Sequence, residues 1–505
     1  MRTPTPLAVA GAATVLTTAL AVPAFAGGSA DTTDLRDAVT VSGVREHQKA
    51  LQAIADNHDG TRASGTSGFN ASARYVMRVL SDAGYRVQRQ PFDYELFREL
   101  SPSTLTVDPP GPTAPYENDV DFVVMEYSGN GQAQGALDPV DVTLPPAATP
   151  SSTSGCEAAD FADDFTAGNI AVMQRGTCTF REKVDNAAAA GAVGAIIFNE
   201  GQEGRTELLS GTLGQPQATI PVLGTTFELG EELVGIEGST ATINTDVSVS
   251  TETTSNIIAD SPSGRTDRTV VVGAHLDSVL EGPGINDNGS GTAAILETAE
   301  QISDLGIKPT NALRFTFWGA EESGLIGSQH YVDSLSKAER SDIQLYLNFD
   351  MVGSPNFVRF VYDGDGSAFG TKGPAGSAHI EKTFTDYFAS QGLSSEPTQF
   401  DGRSDYDAFI SAGIPAGGLF TGAEGVKTPE QAAEYGGTAG EAYDPCYHSA
   451  CDTAANYSRK ALNQMSDAIA HATLKYAMSK ADVNGTAQAT AKKSTAKFQG
   501  AAARR

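Results

Sequence analysis

The sequence predicts an α/β fold: a central, mostly parallel mixed β-sheet flanked by helices on both faces, interrupted by a smaller β-rich α+β domain. Three observations predict it. Residues 254–480 alternate short apolar strands with amphipathic helices, the pattern of a sheet covered on both sides. From about 116 to 250 the pattern changes to short strands and Gly-rich turns. The length of 505 residues suits two or three domains, and a 40% hydrophobic content is enough for each to bury a core.

Taken in order, residues 1–26 read as an export signal. Arg2 gives a positive start, 7–22 is an apolar run too short for a span, and Ala24-Phe25-Ala26 is a small-x-small cleavage site. Residues 27–40 read as a linker. The first segment of the outer domain, 41–115, holds apolar residues at helical spacing over 44–55, a Gly/Ser/Thr loop over 60–68, and a second helix over 71–83. An alternating strand follows over 85–92. Pro102, Pro109, Pro110, Pro112 and Pro115 then mark a boundary. The insertion, 116–250, carries strands at 170–173, 193–198 and 221–223 around a helix at 180–190, and no His/Asp/Glu constellation.

The second segment of the outer domain, 251–480, reads as strands at 270–272, 313–318, 343–349, 357–362 and 417–420. Its helices fall at 289–305, 323–335, 378–391 and 458–479. Residues 481–505 hold almost no large apolar side chains and read as a disordered or processed tail.

Export makes the four cysteines legible as two disulfides, and nearest neighbours give Cys156 with Cys178 and Cys446 with Cys451. Neither pair has the C-x2-C spacing of a zinc-thiolate site. The net charge of −28 repels nucleic acid and anionic membranes and favours a soluble, extracellular protein. Nucleic acid and, once the signal is gone, membranes are therefore not expected as partners; a monomeric state is expected.

Five metal-type ligands recur where strands should end: His275, Asp287, Glu322, Asp350 and His448, with Glu321 beside one of them. In open α/β sheets ligands gather beyond the carboxyl ends of the strands. Two histidines and three carboxylates suit two Zn2+ if Asp287 bridges, with His275 and Asp350 on one ion and Glu322 and His448 on the other. A structural Ca2+ is left open. Glu321, spare in that count, is the candidate general base and then acid. Asp277 is placed to orient the His275 ring, and Tyr447 to donate to a developing oxyanion. Taken singly, each acidic residue reads as a solvated surface group; five at strand ends reverse that reading.

Two resemblances sharpen this. The run Asn169-Ile-Ala-Val-Met-Gln-Arg-Gly, with 178–183 and 189–197, resembles the non-catalytic protease-associated (PA) domain. Ala-His-Leu-Asp at 274–277, Gly-Ile-Asn-Asp-Asn-Gly-Ser-Gly at 284–291 and Trp-Gly-Ala-Glu-Glu-Ser-Gly-Leu-Ile-Gly-Ser at 318–328 resemble the secreted co-catalytic zinc aminopeptidases of peptidase family M28. Asn-Phe-Asp-Met at 348–351 and Asp-Pro-Cys-Tyr-His at 444–448 extend the match. The resemblance implies a zinc-dependent exopeptidase fold, the same ligand set, Glu321 as base and a cis peptide between Asp287 and Asn288. It also implies that Arg403 and Tyr406 border the substrate and that Met351 and Phe420 line an apolar pocket. The expected partners are peptide substrates, and the expected activity is removal of their Leu-like or other large apolar N-terminal residues. Alternatives on the same scaffold are a carboxypeptidase, a glutaminyl cyclase and a non-catalytic binding protein.

Overall fold

The computed structural model describes residues 30–108, 115–162, 165–202, 205–481 and 483. The expected signal segment and nearly all of the tail lie outside these residues. Among the described residues no helix is long and apolar enough to cross a membrane.

The outer domain is built on strands Arg265–His275, Asn311–Trp318, Ile343–Phe349 and Ala416–Phe420. The first pairs in parallel with the second and third, and the third in parallel with the fourth. Strand Phe360–Tyr362 adds antiparallel to Ala416–Phe420, so the sheet is mixed but mostly parallel. Its central strands are buried over most of their length and rich in Val, Leu and aromatic residues, as a sheet covered on both faces demands. Helices Val41–Asp56, Ser67–Asp82, Gly289–Asp304 and Arg459–Met478 supply Val44, Leu51, Phe69, Ile295 and Met465 to the largest core cluster. On the other face Trp318, Tyr346 and Phe409 pack together, the last two rings stacked 3.9 Å apart.

Two expectations change. Within the segment expected to be a linker, Thr33–Ala38 is a helix whose Leu35 is fully buried in the core. The strand expected to stop near residue 92 instead runs from Arg86 to Val107, through Pro102, and pairs antiparallel with Thr240–Asp260. Register shifts at Glu99/Ser101 and Ser101/Thr104 accommodate the proline there. The prolines therefore do not begin a boundary at 102.

This long ribbon belongs to both domains. At one end Ile257–Asp260 pairs with Arg314–Phe317 of the outer-domain sheet. At the other, Thr240–Thr245 pairs with Gly131–Ala136 of the inserted domain. The inserted sheet continues in parallel through Ile170–Gln174, Gly194–Phe198 and Val222–Thr225. Helices Phe180–Ala189 and Phe227–Gly235 complete that domain. The Cys156–Cys178 disulfide lies within it, and Cys446–Cys451 lies in the outer domain.

Candidate active site

Three parallel strands end on one edge of the sheet and deliver most of the polar cluster. His275 is the last residue of Arg265–His275, Asp350 immediately follows Ile343–Phe349, and Glu321 and Glu322 follow Asn311–Trp318. Asp287 precedes the helix Gly289–Asp304. Asn288 caps that helix by accepting from Gly291 N, donates to the Phe349 carbonyl at 2.9 Å and accepts from Met351 N at 3.2 Å. The loop bearing Asp287 is thus fastened to the strand end bearing Asp350. The Asp287–Asn288 peptide is cis, as the resemblance implies. His448 stands in a left-handed turn (φ 51°) inside the loop closed by Cys446 and Cys451.

The five side chains converge. His275 Nε2 lies 3.2 Å from Asp287 Oδ1 and 3.2 Å from Asp350 Oδ1. His448 Nε2 lies 3.2 Å from Asp287 Oδ2 and 3.1 Å from Glu322 Oε2. The two oxygens of Asp287 therefore face different histidines. Glu321 Oε2 is 3.9 Å from His275 Nε2 and belongs to neither close set. Burial alone would push the Asp287 carboxyl up, yet the imidazoles of His275 and His448 hold it far below the usual carboxylate range. Burial likewise opposes charge on His275, but Glu321 and Asp350 hold its pKa well above normal. Three carboxylates around two imidazoles, with Glu321 beside them, form a donor set suited to bound divalent cations.

Asp277 meets the His275 ring with two groups. The atom nearest His275 Nδ1 is the Asp277 main-chain carbonyl, at 3.1 Å; its carboxylate is 3.7 Å away. That carboxylate also accepts the Glu321 backbone N–H, at 3.3 Å. Other supporting residues carry no motif of their own. Asp452 accepts Asn286 N and Asp287 N, at 2.8 and 2.9 Å, and burial pushes its carboxyl up to about 7. Ser404 donates to Asp350 Oδ2 at 2.6 Å. Arg62, fully buried, donates to the carbonyls of Leu276, Pro283 and Gly284 and so braces the loop between His275 and Asp287.

Beside the cluster is a cavity of about 50 Å3 lined by Asp287, Asp350, Met351, Tyr362, Phe420 and Tyr447, among others. Arg403 lies on its rim, donating to Glu424 Oε1 at 2.6 Å and to the Tyr447 hydroxyl at 3.4 Å. Tyr447 stacks on His448 with ring centroids 3.8 Å apart. Tyr406, expected at the substrate, is fully buried and absent from the lining. Its hydroxyl donates to Asp401 Oδ1 at 2.7 Å, and its ring packs under Tyr362, which takes the wall position.

Residues 256–473 match the model of Peptidase family M28, and residues 142–233 that of the PA domain. An aminopeptidase of Pseudomonas aeruginosa is 49% identical over 86% of this chain and 80% of its own length. The chain belongs to peptidase family M28. A leucine aminopeptidase 2 of Trichophyton equinum is 39% identical over 88% of this M28 chain and 86% of its own. Among solved structures, an aminopeptidase from Aneurinibacillus sp. strain AM-1 superposes with a TM-score of 0.70 at 27% identity, covering 89% of this chain and 96% of that one. A zinc aminopeptidase from Bacillus subtilis gives 0.61 at 26%, covering 88% and 98%. As an M28 peptidase carrying a PA domain, the protein is a hydrolase acting on peptides.

Proposed function

We propose that the chain is a secreted aminopeptidase that holds two Zn2+ and prefers Leu-like or other large apolar N-terminal residues. The observation that carries this reading is the division of the Asp287 oxygens between His275 and His448, at 3.2 Å each. His275 and Asp350 would hold one ion, Glu322 and His448 the other, with Asp287 shared. When bound, the pair supplies an ionised water near neutral pH and polarises the scissile carbonyl. Glu321 takes the proton of the attacking water and returns it to the leaving amine. Tyr447 donates its hydroxyl to the developing oxyanion. Glu321 and Asp350 bind the substrate ammonium, and Met351, Phe420 and Tyr362 receive the first side chain.

A zinc aminopeptidase among the solved structures and a leucine aminopeptidase among the relatives support the metal and the preference. Pairing of all four cysteines supports export, together with the N-terminal signal pattern. A carboxypeptidase would need a cation for the substrate carboxylate, and Arg403 on the cavity rim is already engaged by Glu424. Cleavage of one peptide in free, N-acetylated and C-amidated forms tests the reading. Acetylation should abolish cleavage and amidation should not; cleavage of the acetylated peptide refutes it.

A further inference from the structure

Between the ribbon, the inserted domain and the outer domain lies a cavity of about 500 Å3. It reaches the catalytic centre: Glu322 and Ser323 are in its wall, along with Asp277. A smaller cavity, lined by Glu321, Glu322, Gly402 and Arg403, adjoins it. Besides Glu322, the two cavities share one residue, and it comes from the inserted domain: Glu126.

Glu126 is held firmly at this junction. Its N–H donates to the Gly211 carbonyl at 2.9 Å, and its carbonyl accepts from Leu213 N at 3.0 Å. On one side Met125 is fully buried and donates to the Val222 carbonyl at 3.0 Å. On the other, Tyr127 is buried in a left-handed conformation (φ 61°). Its hydroxyl donates to the Glu95 carbonyl at 2.6 Å and lies 3.5 Å from that of Ser323, the residue after Glu322. The backbone that carries Glu126 is thus fixed relative to the catalytic centre although it belongs to a separate domain. Such fixing is what a recognition group requires.

The wall of the larger cavity is acidic. Glu99, Asp119, Glu126 and Glu281 line it, and Arg98 is its one cationic side chain among the described residues. A single-sign cleft with low-dielectric walls concentrates the opposite charge. The proposed function places the first residue of a substrate against Met351, Tyr362 and Phe420 in the small cavity, which leaves this larger one to the rest.

We propose that the cavity under the inserted domain receives the leaving peptide, and that Glu126 selects substrates whose second residue is Lys or Arg. The proposal rests on the aminopeptidase reading and adds a specificity determinant outside the peptidase domain. One partly exposed ion pair changes selectivity by about fivefold.

The test compares kcat/KM for Leu-Lys-Ala, Leu-Glu-Ala and leucine p-nitroanilide in the wild type and in Glu126→Gln and Glu126→Lys. The wild type should favour the lysyl over the glutamyl peptide by about fivefold. Glu126→Gln should bring the ratio near one, and Glu126→Lys should invert it. Added salt should compress the wild-type ratio. Equal losses on all three substrates, or a ratio unchanged by both variants, overturns the proposal. Failure of the wild type to cleave the anilide at all would instead count against the aminopeptidase reading.

Discussion

Asp452 Oδ2 accepts the backbone N–H of Asp287 at 2.9 Å, while its Oδ1 accepts that of Asn286 at 2.8 Å. One buried carboxylate therefore fixes the main chain that presents Asp287, the proposed shared ligand. Asp452 follows Cys451 directly, so the disulfide loop that carries His448 also steadies the loop that carries Asp287.

Asp452→Ala should therefore weaken metal binding although Asp452 is not a ligand. Loss of a supporting hydrogen bond in metal sites costs about 10–100-fold in affinity or activity. Metal titration of the apoprotein, followed by turnover of leucine p-nitroanilide, measures both. Unchanged affinity would remove Asp452 from this role.

Glu321→Gln should retain about two zinc per chain and lose about 10²–10⁴-fold in kcat with little change in KM. Metal analysis and steady-state kinetics on the same preparation separate the two effects. A variant that is active at the wild-type rate means that another group carries the proton.

Asp287→Ala should reduce the zinc content below that of the wild type and abolish activity, because both histidine sets lose a carboxylate oxygen together. His448→Ala should leave the His275 set intact and lose one equivalent of metal preferentially. Identical losses in the two variants would argue against a shared carboxylate.

His47 gives a pH dependence away from the active site. Burial alone would lower its pKa, but Glu297 and Glu300, 3.4 and 2.9 Å from Nε2, raise it to about 9. A folded pKa above the unfolded value makes the protonated ring stabilising. The contribution is complete below about pH 6.5 and is lost as pH rises through about 9, with a magnitude on the order of 2–3 kcal/mol. Calorimetry from pH 6 to 10 should show the melting temperatures of wild type and His47→Gln converging above pH 9. A constant difference would mean that the ring is not charged in the fold.

The motifs bearing His275, Glu322 and Asp350 were legible because each sits within a few residues of a strand end, where short-range hydrophobic patterning locates it. Glu321 stood out from its neighbour Glu322 only by ligand count, and in the fold it stands farther from His275 Nε2 than Asp287 and Asp350 do. Arg62, Ser404 and Asp452 were not legible, since their partners lie 54–222 positions away along the chain. Asp277 shows a finer limit. Two residues beyond His275, it has both a carbonyl and a carboxylate within reach of the site, and only the backbone path decides which faces the ring. Pro102 misled for a related reason: a proline ends a central strand, but at a register shift it can sit inside one.

The ribbon also sets the terms on which the inserted domain can be exchanged or removed. Cutting out 116–250 would delete the partner of residues 96–107 and leave an unpaired, partly apolar edge open to association with other chains. A graft that respects the fold must cross both strands at one rung, such as Leu96 with Ser250. A one-residue mismatch there would turn every later side chain to the opposite face. The PA domain is thus less a bead on a tether than the far half of a continuous beam, and a load on it is transmitted through paired backbone to the strand that leads into Glu321 and Glu322.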